Sequence, residues 1–357
     1  MNAAGSARAN DAAPRRRACA AVLTGALLCA ACLPHRPAHD LAGFAPYGAF
    51  AERVRVLRLD PGVTATLVAP AQLDARKPMD LILYALPNGN STAETMGRRL
   101  ADGVGWRFDI QHIAAQTREL RARGLPQTVV AYLEADSKSW PAWRAKLGYD
   151  RANARIVEMV AQLRAALGDP PRISVTLTGH SGGGSFDFGF IDGQEALPDW
   201  LTRIAFLDAN YNFEPRHGDK MLAWLRRDPR HMLVALAYDD REIMLDGKKV
   251  VSDSGGTWRA SQRMISALSK SVTFTRDTLG AFLRYRAPQI ELLLHPNPQN
   301  RILHTEMIGE MNGYIHAMLT GRAEYERGEK VLRSARVYDQ YIDGGITLPP
   351  ATPPQRQ

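Results

Sequence analysis

The chain has 357 residues, 45% hydrophobic and 23% charged, enough to bury a sizeable core in one large α/β domain or two small ones. Its formal net charge of +8 says less than it suggests, because Arg8, Arg15, Arg16 and Arg17 against Asp11 place +3 of it before Cys32. No basic block with interleaved aromatic residues follows, which argues against nucleic acid as a partner.

Taken in order, Arg15-Arg16-Arg17 precede an apolar run from Ala18 to Ala31 that is too short to span a bilayer and ends in small residues, the pattern of a secretory signal. Cys29-Ala30-Ala31-Cys32 resembles a bacterial lipobox, which implies lipidation of Cys32 and a membrane anchor on the periplasmic face of the cell envelope. Ordinary cleavage to a soluble periplasmic or secreted protein is the alternative. Cys19, Cys29 and Cys32 are the only three cysteines. The remainder can therefore hold no disulfide, thiolate nucleophile or cysteine metal site. The expected organisation is a signal segment over 1–31, a linker over 32–50, one domain over 51–340 and a flexible tail over 341–357.

Within the domain, Arg53 to Leu59 and Val63 to Ala69 read as a hairpin turning at Asp60-Pro61-Gly62. Leu81 to Leu86 is a nearly continuous apolar run, as in a strand covered on both faces. Asp109 is placed to cap a helix through Ile113 and Leu120, and Gln127 to Ala135 is again a strand. Ile156, Met159, Val160, Leu163 and Leu167 recur at helical spacing over 150–167. Ile173, Val175 and Leu177 then alternate as a strand that runs into Gly179-His180-Ser181-Gly182-Gly183, a match to G-x-S-x-G. Further strands are expected at 203–207, 231–238 and 289–294, with helices over 218–227, 257–268 and 304–319 and a hairpin turn at Asp246-Gly247. Strands alternating with helices predict a mostly parallel sheet with helices on both faces.

A serine after a strand in a glycine-bounded turn fits a nucleophile elbow, where flanking residues without side chains let strand and helix approach closely. At this point the chain resembles the α/β-hydrolase fold over nearly all of its mature length. That resemblance implies an eight-stranded, mostly parallel sheet with an N-terminal antiparallel hairpin, and a chain order of serine, acid and histidine after the fifth, sixth or seventh, and eighth strands. Ser181 follows the fifth strand, Asp208 the sixth, Asp239 and Asp240 the seventh, and His304 the eighth. Phe206 to Tyr211 and Gly255-Gly256-Thr257 are similar to segments of a poorly characterised group of bacterial hydrolases with no assigned substrate.

The implied chemistry is a serine hydrolase acting on an ester, thioester or amide through an acyl-enzyme, with no cofactor and a small-molecule or envelope acyl substrate. An acyltransferase with the same triad is one alternative; a catalytically silent envelope lipoprotein that binds a ligand or partner is the other. Ser181 is the expected nucleophile, His304 the base and Asp208 the acid, with Asp240 as the alternative acid. The N–H of Gly182, with that of Asn88 or Gly89, is expected to form the oxyanion hole. His295 and His180 are expected to be structural. Glu134, Asp136, Trp140, Trp143 and Trp258 are candidates for a sugar or peptide subsite, or else for packing and solvated charge.

Overall fold

The computed structural model describes residues 41–60, 62–327, 331–345 and 347–352. The expected signal segment, lipidation at Cys32 and most of the linker lie outside these residues.

The strands and helices run β1 (Ala45–Tyr47), β2 (Glu52–Asp60), β3 (Val63–Pro70), β4 (Met79–Ala85), α1 (Thr92–Met96), α2 (Ile113–Ala122), β5 (Thr128–Ala135), α3 (Trp140–Leu147), α4 (Tyr149–Ala166) and β6 (Ile173–His180). There follow α5 (Gly184–Asp192), β7 (Leu201–Leu207), α6 (Pro215–Leu225), β8 (Met232–Tyr238), β9 (Met244–Leu245), β10 (Lys248–Lys249) and α7 (Thr257–Leu268). The chain continues through β11 (Thr275–Leu279), β12 (Phe282–Ala287), β13 (Ile290–His295), α8 (Gly313–Leu319) and α9 (Ala323–Arg327). Among the described residues one sheet has the order β1-β2-β3-β5-β4-β6-β7-β8-β13-β12-β11. The run from β5 to β13 is parallel throughout, whereas β2 and β3 form an antiparallel hairpin at one side and β11 and β12 an antiparallel pair at the other. This is the α/β-hydrolase arrangement expected from the sequence.

The sheet is buried on both faces because its strands alternate apolar residues in both directions. Leu81, Leu83 and Ala85 of β4 join one core with Ile156, Phe186, Met221 and Met264 from α4 to α7. Ile82 and Tyr84 join the other, with Ile113, Leu120, Tyr314 and Ile315 from α2 and α8. The chain passes from β4 to β5 on one side of it, then returns to β6 on the other. The loops after β4 and β6 therefore diverge at a switch point, and a crevice opens between them at the carboxyl ends of the strands.

Several local expectations are corrected. The sheet has eleven strands among the described residues, not eight. β11 and β12 escaped notice because their charged residues, Arg276 and Asp277 opposite Tyr285 and Arg284, face solvent and leave no apolar alternation. The stretch read as linker supplies β1 and buries Leu41, Phe44 and Tyr47. Of the tail read as flexible, 341–345 and 347–352 are among the described residues, and Thr352 N–H donates to Val56 O at 2.9 Å on β2, beyond the stretch that pairs with β1. Arg118 ties the same tail down, reaching Tyr341 O at 2.7 Å while pairing with buried Glu52. Asp109 does not cap α2; it lies 2.6 Å from His112 Nε2, and the helix starts after His112 in a left-handed conformation. The last long helix begins at Gly313, not His304, because Asn312 has φ 57° and the preceding residues form turns.

Candidate active site

Ser181 sits where β6 meets the helical turn leading into α5, at φ 55°. That positive φ is a strained conformation for a residue with a side chain, and it persists because the surrounding backbone admits no other path. A Cβ on Gly179 would lie 2.6 Å from the Gly183 carbonyl carbon, and one on Gly183 would lie 2.2 Å from Ala85 O. The expected clearance at both glycines is therefore real. Gly184 is tighter still, at 1.8 Å from Ala209 O.

Asp208, at the end of β7, is fully buried and also holds a positive φ, 50°. Its Oδ2 lies 2.5 Å from His304 Nδ1, and its Oδ1 accepts from the hydroxyl of Thr257, the first residue of α7. His304 arrives from the loop after β13. Its ring lies 4.5 Å from that of His180, at 36°, so it is held beside the residue that precedes Ser181. His180 also fixes the histidine loop through the backbone, because its Nε2–H donates to His304 O at 3.0 Å. Burial, reinforced by the neighbouring His304, pushes the His180 ring well below its ordinary pKa and keeps it neutral. The expected structural reading of His180 thus gains a purpose: it seats the loop that carries His304.

Asp240 does not contact His304 among the described residues. Its Oδ2 accepts the Thr257 N–H at 2.8 Å, capping the start of α7, and its Oδ1 is buried without a partner. Burial, then the charge of Asp208, raises its pKa to about 6. The two aspartates considered as acids are thus both present in one site, joined by Thr257, but only Asp208 reaches the imidazole.

Of the expected oxyanion donors, Gly89 is excluded because its N–H already donates to Lys138 O at 2.8 Å. The N–H of Asn88 makes no hydrogen bond among the described residues. That of Gly182 lies in the first turn of a helix, where N–H groups have no acceptor within the helix. The two segments touch: a Cβ on Gly182 would come within 2.1 Å of Asn88 Oδ1.

One residue was missed. The phenol of Tyr211, three residues past Asp208, is a neighbour of Ser181, and burial, then the charges of Asp208 and Asp240, raises its pKa well above the ordinary value. The signal was its place in the Phe206–Tyr211 segment, which the resemblance had already picked out. The expected subsite, by contrast, is not assembled. Trp140 and Trp143 are buried and pack edge-on to each other beneath α5, and Glu134 Oε2 accepts the Thr92 N–H and hydroxyl, both at 2.7 Å, at the start of α1. His295 is structural as expected, accepting from Asn297 N–H at 3.0 Å. No group of three or more His, Cys, Asp or Glu side chains is arranged to hold a metal ion among the described residues.

No family model matches the sequence and no curated protein matches it. Solved structures similar to the chain include a glucuronoyl esterase from Solibacter usitatus, 11% identical over 72% of this chain and 80% of that one, with a TM-score of 0.40. Esterase Est2 of the planctomycete Thermogutta terrifontis is 11% identical over 81% of this chain and 96% of that one, with a TM-score of 0.38. A cold-adapted esterase from an Arctic intertidal metagenomic library is 12% identical over 69% of this chain and 83% of that one, at 0.34.

Proposed function

We propose that this chain is an exported serine hydrolase that cleaves an ester, thioester or amide through Ser181, His304 and Asp208. The observation that supports the reading is the approach of the candidates at one sheet edge: a serine at φ 55° in the turn after β6, a histidine whose ring lies 4.5 Å from that of His180, the residue before that serine, and a buried aspartate 2.5 Å from the histidine's Nδ1. With Nδ1–H donating to Asp208, the histidine's Nε2 carries the lone pair and takes the serine proton as Oγ attacks the carbonyl. The N–H groups of Gly182 and Asn88 receive the oxyanion, and the protonated His304 then passes its proton to the leaving group. Water, activated in turn by His304, releases the acyl group. Export rests on Arg15-Arg16-Arg17 and the apolar run after them, and anchoring on lipidation of Cys32.

Incubation with a fluorophosphonate probe tests the chemistry. Wild type is expected to be labelled and Ser181→Ala not. An unlabelled wild type, under conditions that label a control hydrolase, refutes the reading. Metabolic labelling with a fatty-acid analogue tests Cys32, and absence of label in the wild type favours the soluble form.

A further inference from the structure

A cavity of about 340 Å³ lies between the end of α1, one face of α2, Tyr47 of β1 and the tail segment that begins at Asp343. That volume falls within the range of small-molecule sites. None of Ser181, His304, Asp208, Gly182 or Asn88 lines it, so it is a separate place in the fold. Its walls are apolar where Ala93, Met96, Phe108, Ala114 and Leu348 meet it.

The polar groups decide what it can take. Asp343, the one carboxylate in the lining, is spent: it lies 3.0 Å from Arg118 Nη2 and accepts the Gly345 N–H at 2.9 Å. Arg118 is spent too, on that carboxylate, on buried Glu52 at 2.7 Å and on Tyr341 O. Two donors are left over. The side chain of Arg98 makes no hydrogen bond or ion pair among the described residues, and its Nε is buried without a partner. Tyr47, only 8% exposed, lines the same cavity, and its hydroxyl has no hydrogen-bond partner among the described residues. Burial, then the charge of Asp343, pushes that hydroxyl up to about 12, so it keeps its proton to donate.

Arg98 is also held in place. Its guanidinium lies over the Phe108 ring, 4.3 Å from the centroid, and the Gly345 backbone covers its stem so closely that a Cβ there would fall 2.3 Å from Arg98 Cδ. A fixed cation beside an unspent hydroxyl, above apolar walls, has no anion left to match it. A carboxylate would accept from both donors, and an alkyl chain behind it would cover the walls. An alkylammonium would meet the guanidinium as a like charge.

We propose that this cavity is a binding site for a monocarboxylate with a medium-length alkyl chain, held by Arg98 and Tyr47 at its head and by Met96, Phe108 and Leu348 along its chain. The site stands whether or not Ser181 is a nucleophile. Calorimetric titration of the full chain with octanoate tests it, with octylammonium and acetate alongside. Octanoate is expected to bind and the other two to give no measurable heat. Arg98→Met keeps an unbranched stem beneath Gly345 and removes the guanidinium; it is expected to raise the octanoate Kd about tenfold or more, the scale for losing a hydrogen bond to a charged group. Tyr47→Phe keeps the ring and is expected to raise it about three- to tenfold, and it decides the matter if Arg98→Met does not fold. Ser181→Ala is expected to leave the Kd unchanged. No octanoate binding, equal binding of octylammonium or acetate, or an unchanged Kd in either cavity variant overturns the site. Loss of octanoate binding in Ser181→Ala puts the ligand at the serine and overturns it as well.

Discussion

His304 Nδ1 lies 2.5 Å from Asp208 Oδ2, while the other oxygen of the same carboxylate accepts from Thr257. A buried aspartate with both oxygens engaged holds one orientation, and it fixes the imidazole tautomer in which Nδ1 carries the proton and Nε2 the lone pair. Asp208→Asn keeps the shape and loses that control. Its kcat/KM on a small ester is expected to fall by about 10³–10⁴-fold, the scale seen when a triad acid is made an amide. Asp240→Asn is expected to stay within about tenfold of wild type. Steady-state kinetics of the two variants decide between the acids, and a reversed order makes Asp240 the partner of His304.

Thr257 donates to Asp208 and offers its N–H to Asp240. Thr257→Val conserves shape and removes the hydroxyl, leaving a lone pair of Asp208 buried without its donor. Urea denaturation is expected to show a loss of about 1–3 kcal/mol. An unchanged urea midpoint would show that the hydroxyl contributes nothing to stability.

The elbow glycines differ in what confines them. A Cβ at Gly183 meets the backbone of Ala85, which cannot yield, whereas one at Gly182 meets the side chain of Asn88, which is exposed and can swing aside. Gly183→Ala is therefore expected to cost about 3 kcal/mol or more in a denaturant titration. Gly182→Ala should fold normally yet turn over about 10- to 100-fold more slowly, because its new methyl group shifts the oxyanion donors. Equal stability of the two variants would refute this account of the close approach.

Asp240 titrates at about 6 in the folded chain against 3.8 for an unperturbed group, through burial first and Asp208 second. With the folded value raised, its contribution to stability is complete below about pH 4 and is lost as pH rises towards 6. Asp240→Asn keeps an oxygen for the Thr257 N–H and cannot ionise. Relative to wild type it is expected to gain about 1–3 kcal/mol between pH 4 and pH 7, read from urea midpoints at the two values. A stability difference independent of pH would mean that Asp240 is ionised in the folded state.

Why part of the site was legible and part was not follows from the range of each signal. Ile173, Val175 and Leu177 running into Gly179-His180-Ser181-Gly182-Gly183 is a local pattern, and the strand and elbow appear where it places them. The helix over Thr257–Leu268 is likewise local and has the expected bounds. Trp140 and Trp143 were ambiguous because a tryptophan in a loop-like stretch fits a subsite wall or a core equally well; only the approach of α5, with Phe186 4.7 Å from Trp140, makes them core. Gly89 failed as a donor through Lys138, a partner 49 positions away that no local pattern indicates.

What the sequence by itself determined is the order of the eight strands β2 to β8 and β13 and the helices between them that it foresaw, the position of Ser181 in that order, and the succession of acid candidates and histidine behind it. These depend on periodicity and turn residues within a few positions of one another. Only the tertiary structure decided which aspartate meets His304, that Asp240 instead caps α7, and that the Gly89 N–H is taken by Lys138 O. Each of these joins segments brought together by crossovers of the sheet, and the distance between such segments is set by packing, which sequence spacing does not encode.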